Sequence, residues 1–427
     1  MSELLGLRTD HYELSMLSAA LQRGTSTRKC TFEVFCRRLP NGRRYAVMAG
    51  LGRVLDAVAR FAFDDAAIAY LLEHQVISDQ AAQFLAEYSF QGSIASYAEG
   101  ELFFPNSPIL SVHGTFADAV VLETLILSIL NHDCAIAAGA ARMVSAAGSR
   151  PIIEMGSRRT HEEAAVAAAR AAYLAGFAST SNLAAGRIHG VPTAGTASHA
   201  FTLVHDSEAD AFRAQVDALG VGTTLLVDTY DITEGIATAV EVAGPGLGAV
   251  RIDSGDLGVH AHRARAQLDA LGATGTRIVV SGDLDEYAIA ALAAAPADAY
   301  GAGTAVVTGT GAPTAGLVYK LVEVEGRPVE KRSESKASPG GAKRAWRSYR
   351  STGTAVEEIV QPAGQPPPHA SGLELRELAA TVWRDGAAVP GAGDLAAGRA
   401  HLAAALITLP WDGLKLSAGE PAIPTRI

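Results

Sequence analysis

The sequence predicts an α/β protein, with an irregular parallel α/β barrel carrying the chemistry, an α/β N-terminal domain before it and a small C-terminal extension after it. Two observations predict the barrel. Seven short apolar runs between residues 151 and 324 alternate with helical stretches, the pattern of parallel strands joined by crossovers. Nearly every run ends in charge or glycine, and a barrel gathers its chemistry at the C-terminal ends of its strands. That number of units favours a closed barrel over an open sheet. The 427 residues, 48% of them hydrophobic, supply ample apolar mass for such a core. The expected boundaries are 1–118, 119–330 and 331–427.

The elements follow in order. Residues 4–20 read as an amphipathic helix, with Asp10 and Glu13 spaced as a capping box. CTFEVFCRRLP (30–40) alternates like a half-buried strand and runs into the turn signal Asn41-Gly42. Two helical stretches are expected at 51–63 and 64–88, and short strands across 92–118, where Pro105, Pro108 and Gly114 break the pattern. A long Ala/Leu-rich helix follows through ETLILSILNHDCAIAAGAARMVSAA. The strand-like runs lie at 151–156, 191–196, 223–231, 249–256, 277–284, 297–304 and 316–324. The tail opens with a basic loop (331–350) holding Ser338-Pro-Gly-Gly between Lys336 and Lys343, expected to reach anionic substrates or a partner subunit. A Pro-rich linker (361–370) follows, and two helices are expected in LELRELAATVWRDG and DLAAGRAHLAAALITL.

Several function classes recede on composition. A formal charge of -10 argues against nucleic-acid binding, which wants a basic face. The three cysteines, Cys30, Cys36 and Cys134, form no C-x-x-C pair, so no four-cysteine zinc site is expected. Their scarcity fits a reducing cytoplasm. The opening MSELLGLRTDHYELSML carries acidic residues where a signal peptide carries basic ones. The apolar runs are interrupted, as by Glu123 and Asn131, short of the ~18 uninterrupted residues of a membrane span.

The strand ends suggest an anionic ligand. Glycines at 255, 258, 282, 301 and 303 let backbone N–H groups approach a phosphate, with following helix N-termini favouring its charge; closing tight turns is their plainer alternative. Asp228, Asp231, Asp253 and Asp256 sit at two successive strand ends. Such carboxylates need a cation or sugar hydroxyls between them. Capping the next helix is the simpler role for Asp231 and Asp256, whereas Asp228 and Asp253 point to ligand contact. Arg158, Arg159 and Arg251 can pair with carboxylate or phosphate, although one of the first two can instead pair with Glu154. His199 follows GTAS at a strand end, where spacing alone favours a structural histidine. His260 and His262, two apart on a helical stretch, diverge and read as surface, and His161 falls in the first turn of a helix.

Together the segments TDHYELSM (9–16), FEVFCRRLP (32–40), ETLILSILN (123–131), EMGSRRTHEEA (154–164), STSNLAAGRIHGVPTAGTASHAF (179–201), LLVDTYD (225–231), VRIDSGDLG (250–258) and GAGT (301–304) resemble the nicotinate phosphoribosyltransferases. The likeness keeps the family's order to about residue 350 and is weakest in the tail. It implies the barrel of the type II phosphoribosyltransferases and a homodimer with shared sites. The implied reaction joins nicotinate to phosphoribosyl pyrophosphate, requires Mg²⁺ and is coupled to ATP hydrolysis. His199 matches the family's phosphorylated histidine, Arg251 the arginine near the pyridine ring, and Arg158 the one meeting the nucleotide phosphate. Asp253 matches an acid near the ribose, and Asp228 one near the phosphoribosyl or Mg²⁺ site. Gly282, Gly303 and Thr304 match the phosphate loops. Tyr12 matches an aromatic that a partner subunit stacks on the nicotinate ring. The other face is commonly Phe, and Met155 stands there, implying weaker stacking.

Residues 179–182 bear on the substrate. Nicotinamide phosphoribosyltransferases carry an Asp near the position of Ser181, whereas Ser179, Thr180, Ser181 and Asn182 are all neutral. Thr180 and Ser181 can donate to a carboxylate, so the resemblance favours the acid over the amide. A quinolinate enzyme would need a more basic pocket for its diacid. A sensor that has lost catalysis fits poorly with the intact His199, Asp228, Arg251 and Asp253. A Schiff-base aldolase is disfavoured because no lysine occurs between Lys29 and Lys320.

Overall fold

Six short strands form a curled parallel half-barrel in the order Ser179–Thr180, Ile152–Glu154, Ala299–Ala302, Arg277–Gly282, Ala249–Ile252, Thr224–Leu226. The order has two open edges, so the barrel does not close among these strands. The computed structural model describes residues 5–331 and 339–427. It divides into two compact units, Met1–Ala138 with Ala312–Ile427, and Gly139–Gly311. The half-barrel belongs to the second. Its strands are apolar because helices pack on them; Ala249, Val279 and Ala299 make one buried layer. Helices Glu162–Leu174, Ile232–Ala243, Leu257–Ala270 and Glu286–Ala291 follow individual strands. Parallel register sets Ser281 beside Gly301, and Ala302 beside Glu154. All C-terminal strand ends therefore open on one edge.

Two of the seven expected strands fall elsewhere. The run 191–196 contributes a single bridge, Thr180 to Thr193, because Pro192 lacks an N–H, Gly190 precedes the run and Gly195 interrupts it. Its place is taken by Ser179–Thr180. The run 316–324 is a strand, Leu317–Val324, but it pairs antiparallel with Lys29–Cys36 in the first unit.

The first unit is built on a seven-stranded antiparallel sheet, with Lys29–Cys36 between Leu317–Val324 and Leu110–Thr115. That strand is buried from Cys30 to Cys36 rather than half-buried, because both its neighbours and both its faces are covered. The first helix begins at His11, and Asp10 is its N-cap without a side-chain bond. Glu13 does not complete a capping box; it turns inward and accepts from Thr9 and Thr124. LELRELAATVWRDG forms strands Glu374–Glu377 and Ala379–Arg384 instead of a helix. Pairing with Lys343–Tyr349 and Ser93–Tyr97 overrides its Leu/Ala-rich helical composition. The last expected helix is present as Leu395–Ile407. The stretch Phe116–Ala147 is long and apolar enough to cross a membrane by length and composition, and 67% of an 18-residue apolar window within it is buried inside the protein, as for a core helix.

Lys336 and Ser338 lie outside the described residues. Lys343 is committed inside the fold: its Nζ donates to Glu33 Oε2 at 2.9 Å and to the Gly341 carbonyl. Its expected reach toward substrates or a partner is thereby corrected. The seven-stranded sheet carries a buried strand acid at Glu33, which needed a cation.

A second buried ionic cluster ties the tail into this unit. Arg347 bonds Glu101 and Glu358, both at 2.6 Å, while Arg376 and His401 reach the other Glu101 oxygen at 2.8 and 2.7 Å. Burial alone would raise the Glu101 carboxyl, but Arg347, His401 and Arg376 hold it well below the usual range. A depressed carboxyl stabilises the fold above its unfolded value, near ~4.3, and that stability drains away as pH falls toward the folded value. Thermal midpoints should therefore drop with acidification below about pH 5. Glu101→Gln should lower the midpoint at neutral pH and flatten that acid limb. An acid limb of unchanged steepness would assign the pH dependence to other groups.

Candidate active site

The chemistry-bearing residues of the second unit converge on Arg251, near the end of strand Ala249–Ile252. Its guanidinium donates from Nε to Ser281 Oγ (2.7 Å), from Nη1 to Thr196 Oγ1 (2.9 Å) and from Nη2 to Asp253 Oδ1 (2.6 Å). Three bonds from three segments hold the fork in one orientation and leave N–H donors unspent. Ser281, itself an acceptor from Arg251, donates to Asp253 Oδ1. Burial works to raise the Asp253 carboxyl, but the bonds from Ser281 and Arg251 and the charges of Arg251 and His199 outweigh it and hold it low.

Asp228, two residues past Thr224–Leu226, underlies the next layer. Its Oδ2 accepts from the Asp253 N–H (2.9 Å) and Ser254 Oγ (2.7 Å). Its Oδ1 is buried without a hydrogen-bond partner among the described residues and lies 3.8 Å from His199 Nε2. His199 begins a short helix; its Nδ1 shares a 3.1 Å hydrogen bond with Thr229 Oγ1, and its side chain is 41% exposed. Asp231 and Asp256 are caps, accepting from the first-turn N–H groups of helices Ile232–Ala243 and Leu257–Ala270, as the simpler reading had it.

Two clefts open along this edge and share Met155, Arg158, Arg251 and Asp253. One, of about 560 Å³, is walled by Met155, Ser157, Ser181, Thr196 and His199. The other, of about 210 Å³, is walled by Arg158, Arg159, Gly282, Asp283, Gly303 and Thr304. Among the described residues, neither Arg158 nor Arg159 has a side-chain partner, and both are exposed. Two unpaired guanidinium groups beside glycine turns make an anion site. Gly301 must lack a side chain, since a Cβ would stand 2.8 Å from both Met155 Sδ and Ser281 Cβ. Gly282 holds φ 144°, a backbone that residues with side chains rarely adopt.

The remaining expected residues fall into place differently. Ser181 lines the larger cleft, with its hydroxyl unbonded among the described residues. Thr180 is buried behind it and donates to Glu154. Glu154 does not pair with either neighbouring arginine: its oxygens take the Thr180 hydroxyl and the Gly156 N–H. Burial raises its carboxyl despite those bonds. Tyr12 belongs to the first unit and is 42% exposed. Its phenol is pushed up by burial, by the Glu123 and Glu13 carboxylates, and by a hydrogen bond to Glu123. Thr196, Ser281 and Thr229 were not anticipated as site residues. Their signal is only a hydroxyl beside a strand end, which many structural residues share.

Among the described residues, no group of three or more His, Cys, Asp or Glu side chains is arranged to hold a metal by itself. The unbonded Asp228 Oδ1 is a fit for one ligand of a Mg²⁺ ion completed by substrate phosphate oxygens.

Residues 7–131 match the family model for the nicotinate phosphoribosyltransferase N-terminal domain. The chain is 61% identical to the nicotinate phosphoribosyltransferase pncB1 of Mycobacterium tuberculosis, over 99% of this chain and 95% of that one. It is 31% identical to the human nicotinate phosphoribosyltransferase, over 90% and 83% of the two chains. The crystal structure of human nicotinic acid phosphoribosyltransferase superposes with a TM-score of 0.85 at 25% identity, covering 98% of this chain and 97% of that one. On this likeness, which spans nearly the whole sequence and the fold that carries the cleft, the chain belongs to the nicotinate phosphoribosyltransferase family.

Proposed function

We propose that the chain joins nicotinate to 5-phosphoribosyl 1-pyrophosphate, giving nicotinate mononucleotide and pyrophosphate in the biosynthesis and salvage of NAD. The observation that carries the reading is the divided cleft. Its larger part offers Met155 for the face of a planar ring and the Ser181 hydroxyl for a carboxylate. Its smaller part offers two unpaired arginines and glycine turns for phosphates. Arg251 and Asp253 border both parts, where the ring and the ribose carbon would meet.

The pyridine nitrogen is already nucleophilic, so no residue must remove a proton. The barrier lies in breaking the bond from ribose C1 to pyrophosphate, through an oxocarbenium-like state with charge growing on the leaving group. Arg158 and the N–H groups around Gly282, Gly303 and Thr304 stabilise that charge, and Asp253 holds ribose hydroxyls. Mg²⁺, when bound, supplies Lewis-acid stabilisation of the pyrophosphate, with Asp228 as the protein residue to hold it. ATP enters as co-substrate through phosphorylation of His199. Its Nδ1 bond to Thr229 and the Asp228 carboxylate beneath it support that role by fixing the ring. Tyr12 covers the second face of nicotinate from the partner of a homodimer. The scarcity of cysteine, with all three thiols free and buried, supports a cytoplasmic setting.

The test is nicotinate mononucleotide formation with Mg²⁺, with and without ATP, in wild type and His199→Ala. ATP should raise turnover only where His199 is present. Nicotinamide is the control, and Ser181→Asp should raise KM for nicotinate at least roughly tenfold through like-charge repulsion. Preferential use of nicotinamide by wild type would overturn the choice of acid.

A further inference from the structure

Two turns wall the larger cleft, and one buried side chain ties them together. The first turn, after strand Ile152–Glu154, presents Met155, Ser157 and Arg158; the second, after Ser179–Thr180, presents Ser181. These neighbouring strands are only three and two residues long, so their parallel ladder supplies few backbone bonds. Glu154, 1% exposed, makes up the deficit. One carboxylate oxygen accepts from the Gly156 N–H of the first turn. The other accepts from Thr180 Oγ1 of the second at 2.5 Å, and the Glu154 carbonyl accepts from the Ser181 N–H at 2.8 Å. The staple continues outward: Thr180 Oγ1 accepts from the Asn182 N–H, and Asn182 Nδ2 donates to Ser157 Oγ, each at 3.0 Å. Gly156 cannot yield, because a Cβ there would stand 2.2 Å from Val307 Cγ1.

We infer that Glu154 is the positioning residue of the base-binding slot, with its buried carboxylate stapling the 155–158 turn to the 180–182 turn and so fixing Met155 against Ser181. The inference deepens the proposed function and rests on nicotinate lying between those two residues. Glu154 touches no substrate. Its action reaches the base through Met155 and Ser181. Most of the phosphate-facing residues, Gly282, Asp283, Gly303 and Thr304, sit on turns it does not bond. A carboxylate is the side chain for the task, because two donors converge on it and an amide has one acceptor oxygen.

The experiment is steady-state kinetics on Glu154→Gln, Thr180→Val, Thr180→Ser and the Glu154→Gln/Thr180→Val double variant, with thermal midpoints measured alongside. Each disrupting single change should raise KM for nicotinate about tenfold, the size of one net hydrogen bond. KM for phosphoribosyl pyrophosphate should rise less, staying within about threefold, since Arg158 and Arg159 alone of its contacts adjoin the stapled turn while Gly282, Asp283, Gly303 and Thr304 lie on others. The double variant should be no worse than the worse single, because both cut the same staple, and Thr180→Ser should restore wild-type values. The inference is overturned if both KM values rise together with a fallen midpoint, the mark of a merely structural bond, or if the single effects multiply. Thr180→Val, nearly isosteric, keeps the test alive should Glu154→Gln not fold. Wild-type turnover of nicotinate is the separate control. Its absence would sink the proposed function and this inference with it, whereas unchanged kinetics in the variants would sink this inference alone.

Discussion

Arg251→Lys should lower kcat/KM for nicotinate mononucleotide formation by roughly 10³-fold, the scale seen when a preorganised donor is lost from a reacting centre, while the protein stays folded. The guanidinium spends three N–H groups on Ser281, Thr196 and Asp253. Those bonds fix the direction of the donors that remain. A lysine has three donors on a single nitrogen and no planar fork. It can satisfy Asp253 or reach toward the cleft, but it cannot hold Thr196 and Ser281 at the same time. Two consequences combine: the ligand contact proposed for Arg251 is lost, and Asp253 loses its fork and the Ser281 arrangement that keep its carboxyl low. The damage should appear in kcat as well as in KM, since in the proposed reaction Asp253 holds the sugar whose bond breaks. Steady-state kinetics with ATP and Mg²⁺, beside a thermal melt, checks the prediction. A loss below about tenfold, the size of one ordinary hydrogen bond, would reduce Arg251 to a structural tie among three loops.

The residues at the strand ends were legible because parallel crossover topology places the C-terminal ends together whatever the exact sheet. Arg251, Asp253, Asp228 and the glycines at 282, 301 and 303 each follow an apolar run, and the structure brings them to one edge. Asp231 and Asp256 were legible as caps for the same local reason: a carboxylate one residue before a helix has unsatisfied N–H groups in reach. Other features depended on chain pairing across long separations. Leu317–Val324 reads as a further barrel strand by position in the sequence, yet it finds its partner at Lys29–Cys36, nearly three hundred residues earlier. LELRELAATVWRDG reads as a helix from its Leu, Ala and Glu content, yet its part Ala379–Arg384 becomes a strand because Ser93–Tyr97 offers an edge. Lys343 looked available from its basic neighbourhood, and the buried Glu33 claims it. Glu154 is the subtlest case. Adjacent Arg158 and Arg159 suggested an ion pair, but the parallel register sets Glu154 beside Thr180, and a hydroxyl carries no charge pattern to read.

Asp228→Asn is expected to reduce kcat in the presence of ATP by roughly 10²–10³-fold, comparable to removing one electrostatic group from a preorganised site. The substitution is close to isosteric and separates two roles of the carboxylate. Oδ2 holds the Asp253 N–H and Ser254 Oγ, and the amide oxygen of Asn can keep both bonds. The amide nitrogen then takes the place of Oδ1, the buried, unbonded oxygen 3.8 Å from His199 Nε2. An anionic oxygen in that setting favours an arriving cation, whether Mg²⁺ or a histidine carrying a proton. A neutral amide donor there favours neither. Because the turn is preserved, the loss should fall on steps that need the charge. The Mg²⁺ concentration for half-maximal rate should rise, and transfer of labelled phosphate from ATP to His199 should fall toward the level of His199→Ala. Kinetics across a Mg²⁺ series and acid-labile phosphate labelling read these two effects separately. A rise in the Mg²⁺ requirement with labelling intact would assign Oδ1 to the metal, and lost labelling at saturating Mg²⁺ would assign it to His199. If Asp228→Asn retained both at wild-type levels, the charge would have no part in the reaction, and Asp228 would serve only to hold the Asp253–Ser254 turn.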